Sequence, residues 1–241
     1  MSEFKMPTEI VELPSKGLIY PEDNPLSSGK VEMKYMTAKE EDILTNQSYI
    51  QNGTVLDKVL QSLIVSKINF DDLIIGDKNA LMIAARVLGY GKDYEFTYDG
   101  ESYSVDLSTL ENTDFDLDSI ERGKNEFKFT LPNSGLDITY KILTHADERK
   151  ITKELEGLKK LHKNDPPELS TRLKHIITSV NGDAENKTVR QFVDNALLAI
   201  DSRALRKHIS KNQPDVDLKF TTNGGQEVTI PIGISFFWPD A

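Results

Sequence analysis

The sequence predicts an α+β fold in two lobes with related strand-to-helix units, and three observations predict it. First, one stretch occurs twice. Leu13-Pro14-Ser15-Lys16-Gly17 leads to the segment from Val31 to Leu44, and Leu131-Pro132-Asn133-Ser134-Gly135 leads to the segment from Ile138 to Ile151. From Val31 and Ile138 onward the two align without a gap, at an offset of 107 residues (Thr37 to Thr144). Second, alternating apolar residues flank Asp99-Gly100, between Tyr94 and Leu107, and Asn223-Gly224-Gly225, between Leu218 and Ile232, the pattern of small antiparallel hairpins. Third, three amphipathic helical patterns follow Thr144 in succession, which predicts a helical bundle in the second half. The expected organisation is an extended N-terminal arm over 1–30, a first lobe over 31–126 with hairpin 94–107, and a second lobe over 127–241. That second lobe carries helices over 145–209 and hairpin 218–232.

Taken in order, residues 1–30 are rich in Pro, Ser and Asn and read as an arm with turns, lying on its own lobe or on a neighbour. Val31, Met33 and Tyr35 share one face of a period-two strand. Thr37 then stands where a helix N-cap belongs, with Glu40 three positions on, the spacing of a capping box. A short helix is expected from Ala38 to about Ser48. A second over Asp57 to Lys67 is set by Leu56, Val59, Leu60, Leu63 and Ile64. Asp77 reads as the N-cap of an apolar helix over Lys78 to Leu88, stopped at Gly89. After the first hairpin, residues 111–126 are acidic and irregular, a solvated connection.

Phe127, Phe129 and Leu131 form a strand leading into the second copy, where Ile138, Tyr140 and Ile142 share a face and Thr144 with Asp147 repeats the cap. The helix after Thr144 runs to about His162 and stops at Asn164-Asp165-Pro166-Pro167, because paired prolines cannot continue it. Helices over Leu169–Val180 and Val189–Ile209 are expected next, the first ended by Asn181-Gly182. The chain closes on Phe236-Phe237-Trp238-Pro239, aromatic residues that either tuck into their own core or dock into a partner, where such anchors concentrate binding energy.

Composition bounds the function. The 241 residues carry a net charge of −10 and a pI near 5.0, which argues against general binding to nucleic acid, since that rests on neutralising phosphates. Proteins are the expected partners. No cysteine is present, which excludes disulfides, thiolate zinc sites and cysteine nucleophiles. The longest apolar run, Ile230 to Trp238, is broken by Pro231, Gly233 and Ser235 and falls short of the roughly 20 residues of a spanning helix, so no membrane insertion is expected. Met1 to Lys16 lacks the apolar core of a signal peptide, and the protein is expected to stay in the cytoplasm where it is made.

Candidate chemistry is sparse. Glu40-Glu41-Asp42, Asp71-Asp72 and Asp116 with Asp118 offer carboxylates of the kind used in acid–base work or as ligands of hard cations, but capping and solvation explain them more simply. His145, His162, His175 and His208 are dispersed and form no close ligand pair. There is no Gly-x-Ser-x-Gly elbow or phosphate-binding loop, and Gly89-Tyr90-Gly91 follows a helix where a dinucleotide site needs a strand. The expectation is a non-enzymatic protein with no catalytic residues, no cofactor and no metal.

With these residues laid out, the chain resembles the baseplate hub assembly family of T4-like contractile-tailed phages. The resemblance rests on Leu13-Pro14-Ser15-Lys16-Gly17, Met36-Thr37 with Glu40-Glu41 and Ile43-Leu44, and Leu73 with Gly76-Asp77. It continues through Ala85-Arg86 with Tyr90-Gly91 and Tyr94, and ends on Phe236-Phe237-Trp238-Pro239. Members of that family often carry paired cysteines in their hairpins, in the manner of zinc ribbons. Both hairpins here lack them, so the resemblance implies metal-free hairpins held by alternating aromatic and aliphatic packing. It further implies a late protein of tail morphogenesis, a baseplate hub component or an assembly chaperone, working in the host cytoplasm and either leaving or staying in the virion. Leu13, Pro14, Gly17, Phe236, Phe237, Trp238 and Pro239 are then the residues expected to contact hub proteins. The competing expectation is a soluble adaptor or chaperone, unrelated to phage tails, that recognises an extended peptide on an exposed hairpin edge. A metal-dependent hydrolase using Asp71 and Asp72 is the outlier.

Overall fold

The computed structural model describes residues 6–116, 120–161 and 166–237. The fold is α+β, with small antiparallel sheets of two or three strands among eight α-helices in the described residues. In the first half, β1 (Thr8–Glu12) pairs with β2 (Lys30–Lys34), and helices α1 (Ala38–Leu44), α2 (Gln47–Gln51) and α3 (Val55–Leu63) follow. Ile64 then returns to bridge Met33 of β2. Helix α4 (Ile75–Tyr90) and the hairpin β3 (Asp93–Tyr98) with β4 (Glu101–Asp106) complete the unit.

The second half follows a related order, with two helices before the returning strand and two after it. Strands β5 (Phe127–Thr130) and β6 (Asp137–Tyr140) pair, α5 (His145–Leu161) and α6 (Glu168–Ile176) follow, and β7 (Ile177–Val180) returns beside β6. Helices α7 (Asn186–Asn195) and α8 (Ala199–Asn212) and the hairpin β8 (Lys219–Thr221) with β9 (Glu227–Thr229) close it. The correspondence extends to register: Ile64 faces Met33 and Ile177 faces Tyr140, positions related by the same offset of 107 on the middle strand.

Several expectations are corrected. Residues 6–30 lie on their own lobe, one of the two placements expected, and more tightly than an arm would: β1 is in register with β2, and Leu13, Ile19, Tyr20 and Leu26 are buried in the common core. Their Pro- and Ser-rich composition reflects tight turns, with a short 3-10 helix at Pro25–Ser28, and not detachment. Ile177–Val180 is a strand where a helix was expected, because Ile177 and Val180 fill the face opposite Tyr140 and Ile138, and a short apolar run fits either period. The single long helix expected over 189–209 is two, broken at Ala196-Leu197-Leu198 with Leu198 extended as the cap of α8. Asp77 is the third residue of α4 and not its cap, and Gly89 lies inside that helix, which ends at Gly91.

The two distal hairpins pack on each other. Phe220 of β8 meets Phe96 and Tyr103 edge-on at 5.4 and 5.5 Å, and Gln226 Nε2 donates to Tyr98 Oη at 2.9 Å. Alternating aromatic faces thus hold the hairpins, each inward ring contributing roughly 0.5–1.5 kcal/mol beyond its buried area.

Candidate interaction surfaces

Each Leu-Pro-x-x-Gly turn is held by one buried aspartate from the first turn of a later helix. Asp77 of α4, fully buried, accepts from Ser15 N–H (2.9 Å), Ser15 Oγ (2.7 Å) and Tyr20 Oη (2.6 Å). Asp201 of α8, equally buried, accepts from Asn133 N–H (2.9 Å), Asn133 Nδ2 (3.0 Å) and Ser134 N–H (3.0 Å). Both carboxylates also lie at the positive end of their helix. The two differ in electrostatics. Burial outweighs the bonds from Tyr20 and Ser15 and pushes the Asp77 carboxyl up, with Asp215 adding to it. Burial also raises Asp201, but the hydrogen bonds from Asn133 and Ser134 overcome it and hold that carboxyl below its ordinary value. The sequence carries a signal for this pair: Ile74-Ile75-Gly76-Asp77-Lys78-Asn79-Ala80-Leu81 aligns with Leu198-Ala199-Ile200-Asp201-Ser202-Arg203-Ala204-Leu205 at an offset of 124. Reading Asp77 as a cap hid it.

The strand-to-helix junctions form a second matched pair. Glu40, buried, accepts from Thr37 N–H and Oγ1 (3.0 and 2.7 Å), from Lys34 Nζ (2.9 Å) and from Ser62 Oγ (2.7 Å). Asp147 accepts from Thr144 N–H and Oγ1 (3.3 and 3.1 Å) and from Lys141 Nζ (2.7 Å), and its own N–H donates to Thr144 Oγ1. Lys34 and Lys141 are themselves related by the 107-residue offset. Burial raises the Glu40 carboxyl, yet the bonds from Lys34, Ser62 and Thr37 prevail and bring it to about 2.

The second junction docks on the first lobe. Ile74 and Thr144 form an antiparallel bridge, His145 N–H donates to Leu73 O (2.7 Å), and Ile75 N–H donates to Leu143 O (3.3 Å). His145 is buried against Phe70, with Nδ1 3.3 Å from Lys78 Nζ and Nε2 3.5 Å from Asp57. Burial and the Lys78 ammonium hold its pKa below the ordinary value, so the ring is neutral at neutral pH. Asp71 is paired with Arg149 (3.0 Å), and Asp72 accepts from Asn24 and Asn69. Asp71 thus ties the second lobe to the first, while Asp72 ties segments within the first lobe. A Cβ on Gly76 would run into the Pro214 carbonyl, so only glycine lets the C-terminal connection lie against α4.

The residues expected to meet partners are accounted for differently. Leu13, Pro14 and Gly17 are buried by the clamp on their turn. Phe236 and Phe237 are fully buried, Phe236 edge-on to Tyr94 at 4.8 Å, so both belong to this chain's own core. Trp238 and Pro239 lie outside the described residues, as do Asp118 and His162. Of the other histidines, His175 pairs with Glu154 and His208 stacks on Phe129.

Two outward features stand out among several exposed apolar residues and shallow pockets. The outer face of β5-β6-β7 is an open groove of about 660 Å3 floored by Lys128, Thr130, Asp137, Thr139 and Ser179. A hydrophobic pair, Leu198 and Ile200, stands exposed at the start of α8. Among the described residues no helix is long and apolar enough to cross a membrane, and no three His, Asp or Glu side chains are grouped to hold a metal ion. Comparisons with models of known protein families, with curated proteins and with solved structures find no match to this chain.

Proposed function

We propose that this chain is a non-enzymatic component or assembly factor of a contractile-tail baseplate hub, acting through protein–protein contacts in the host cytoplasm. The observation that carries the reading is spatial. Two separate pieces of the resemblance, Leu13-Pro14-Ser15-Lys16-Gly17 and Gly76-Asp77, meet through the Ser15–Asp77 hydrogen bonds. A third, Thr37 with Glu40, forms the matching junction of the same lobe, and a fourth, Phe236-Phe237, closes on Tyr94. Motifs scattered along the chain are therefore joints of one architecture, as residues that define a family fold are. In this reading the motifs hold the scaffold, and the outward surfaces make the contacts.

The test is affinity capture of the tagged full-length chain from cells in which tails are assembling, with identification of what co-purifies. Baseplate hub proteins are the expected catch, and their absence from a capture that retains other partners would overturn the proposal. A second reading, an adaptor for an extended peptide, is favoured by the groove on β5-β6-β7, whose outer strand β5 has a free edge beside Lys128 and Thr130. Under that reading Thr130→Pro, which removes an edge N–H, abolishes capture of the peptide-bearing partner while leaving the fold intact.

A further inference from the structure

We propose that copies of this chain associate head to tail, the first-lobe junction of one copy docking on the start of α8 of the next. The internal duplication carries this association, independently of the baseplate reading. Within the chain, the start of α4 (Leu73-Ile74-Ile75) is covered by the junction Leu143-Thr144-His145, through one bridge and two backbone hydrogen bonds. The duplication gives each of these segments a counterpart. The counterpart of Leu73-Ile74-Ile75 is Leu197-Leu198-Ala199, and that of Leu143-Thr144-His145 is Met36-Thr37-Ala38.

Both counterparts leave residues open to solvent, although Met36 and Leu197 pack partly on the core. Ile74 is 0% exposed, whereas Leu198 at the same place is 49% exposed, with Ile200 close by at 59%. Ala38 is exposed where His145 is buried. The backbone repeats the pattern. Among the described residues, Ala38 N–H, Met36 O, Ala199 N–H and Leu197 O have no hydrogen-bond partner, and these are the four groups that the docked pair would join. Both free donors are first residues of helices and both free acceptors precede a cap, as in the docked junction. Glu41 and Asp42 follow the open junction, and Arg203, exposed and without an ion pair among the described residues, follows Ile200. The occupant of each open surface is therefore the other, on a second copy.

Such a contact is heterologous, since each copy offers one junction and one receptor. It closes reciprocally into a two-fold dimer or into a larger ring where the rotation closes, and runs on as a chain where it does not. The test uses two full-length variants that each disable one side. Ile200→Asp charges the exposed receptor. Ala38→Pro with Asp42→Lys removes the junction's donor and reverses its charge, and proline is compatible with the first helical position and with the extended Thr37 before it. Circular dichroism establishes that both fold, and Leu198→Glu replaces Ile200→Asp if that variant does not.

Sedimentation of the wild type is expected to reveal association that grows with concentration, lost in each variant alone. An equimolar mixture of the two variants retains one intact junction and one intact receptor, so it is expected to stop at a 1:1 heterodimer. A wild type that stays monomeric at every concentration, or a dimer indifferent to both variants, would overturn the proposal. So would a mixture that remains monomeric while the wild type associates.

Discussion

Replacing Glu40 with glutamine isolates the charge at the first junction. The carboxylate is solvent-excluded and accepts from Lys34, Ser62 and Thr37, and its pKa of about 2 against an ordinary 4.5 measures how much the fold favours the ionised form. That difference corresponds to about 3 kcal/mol at neutral pH, using roughly 1.4 kcal/mol per pKa unit. The sign follows from a depressed pKa: the stabilisation is complete above the unfolded value and is lost as pH falls toward the folded one. Glutamine stands in for the protonated acid, so wild type and Glu40→Gln should differ by about 3 kcal/mol at about pH 7 and by about 2 kcal/mol at about pH 3.5, converging below that. Urea unfolding followed by far-UV circular dichroism at several pH values gives the comparison. A gap that does not change with pH would refute the reasoning, because the residue would then be acting by shape alone.

Asp77 should behave with the opposite sign. Its pKa is raised by burial, so its contribution is greatest at low pH and declines as pH rises through the folded value. The advantage of wild type over Asp77→Asn should therefore shrink with rising pH under the same assay, while Asp77→Ala, which strands the Ser15 and Tyr20 donors, should cost about 3–5 kcal/mol. Phe236→Ala empties a fully buried site against Tyr94 and Phe237 and should lower stability by about 3–5 kcal/mol, readable as a fall in the thermal midpoint. Gly76→Ala drives a methyl into the Pro214 carbonyl, and hydrogen exchange should report faster exchange of His145 and Ile75 amides than in wild type. Unchanged exchange there would mean that the seam does not depend on this close approach.

The duplicated junctions were legible because their chemistry is local: threonine, an acid three residues on and an alternating strand before it fix a strand-to-helix turn wherever they occur. The hairpins were legible for the same reason, from Asp99-Gly100 and Asn223-Gly224-Gly225. What the sequence hid was long-range. Asp77 has a residue type that caps helices and a neighbour pattern that permits it, and only the tertiary partner Ser15, 62 residues away, reveals its role. Ile177–Val180 is too short for its period to decide, and the β6 edge made it a strand. Phe236 and Phe237 read as core more readily than as anchors, and they pack beside Tyr94. Ile200 reads as part of the apolar face of the single helix expected over 189–209, and the break at Ala196-Leu197-Leu198 leaves it exposed, while Leu198 gave no signal, since single exposed apolar residues are ordinary. Leu198 gains meaning only beside its buried counterpart Ile74.

Mass spectrometry of baseplate hub intermediates and of finished particles, both from the cell that makes this chain, tests the central claim most directly. The account predicts the chain in the hub intermediates, with its presence or absence in finished particles distinguishing a resident subunit from a factor that leaves. Absence from both would contradict it.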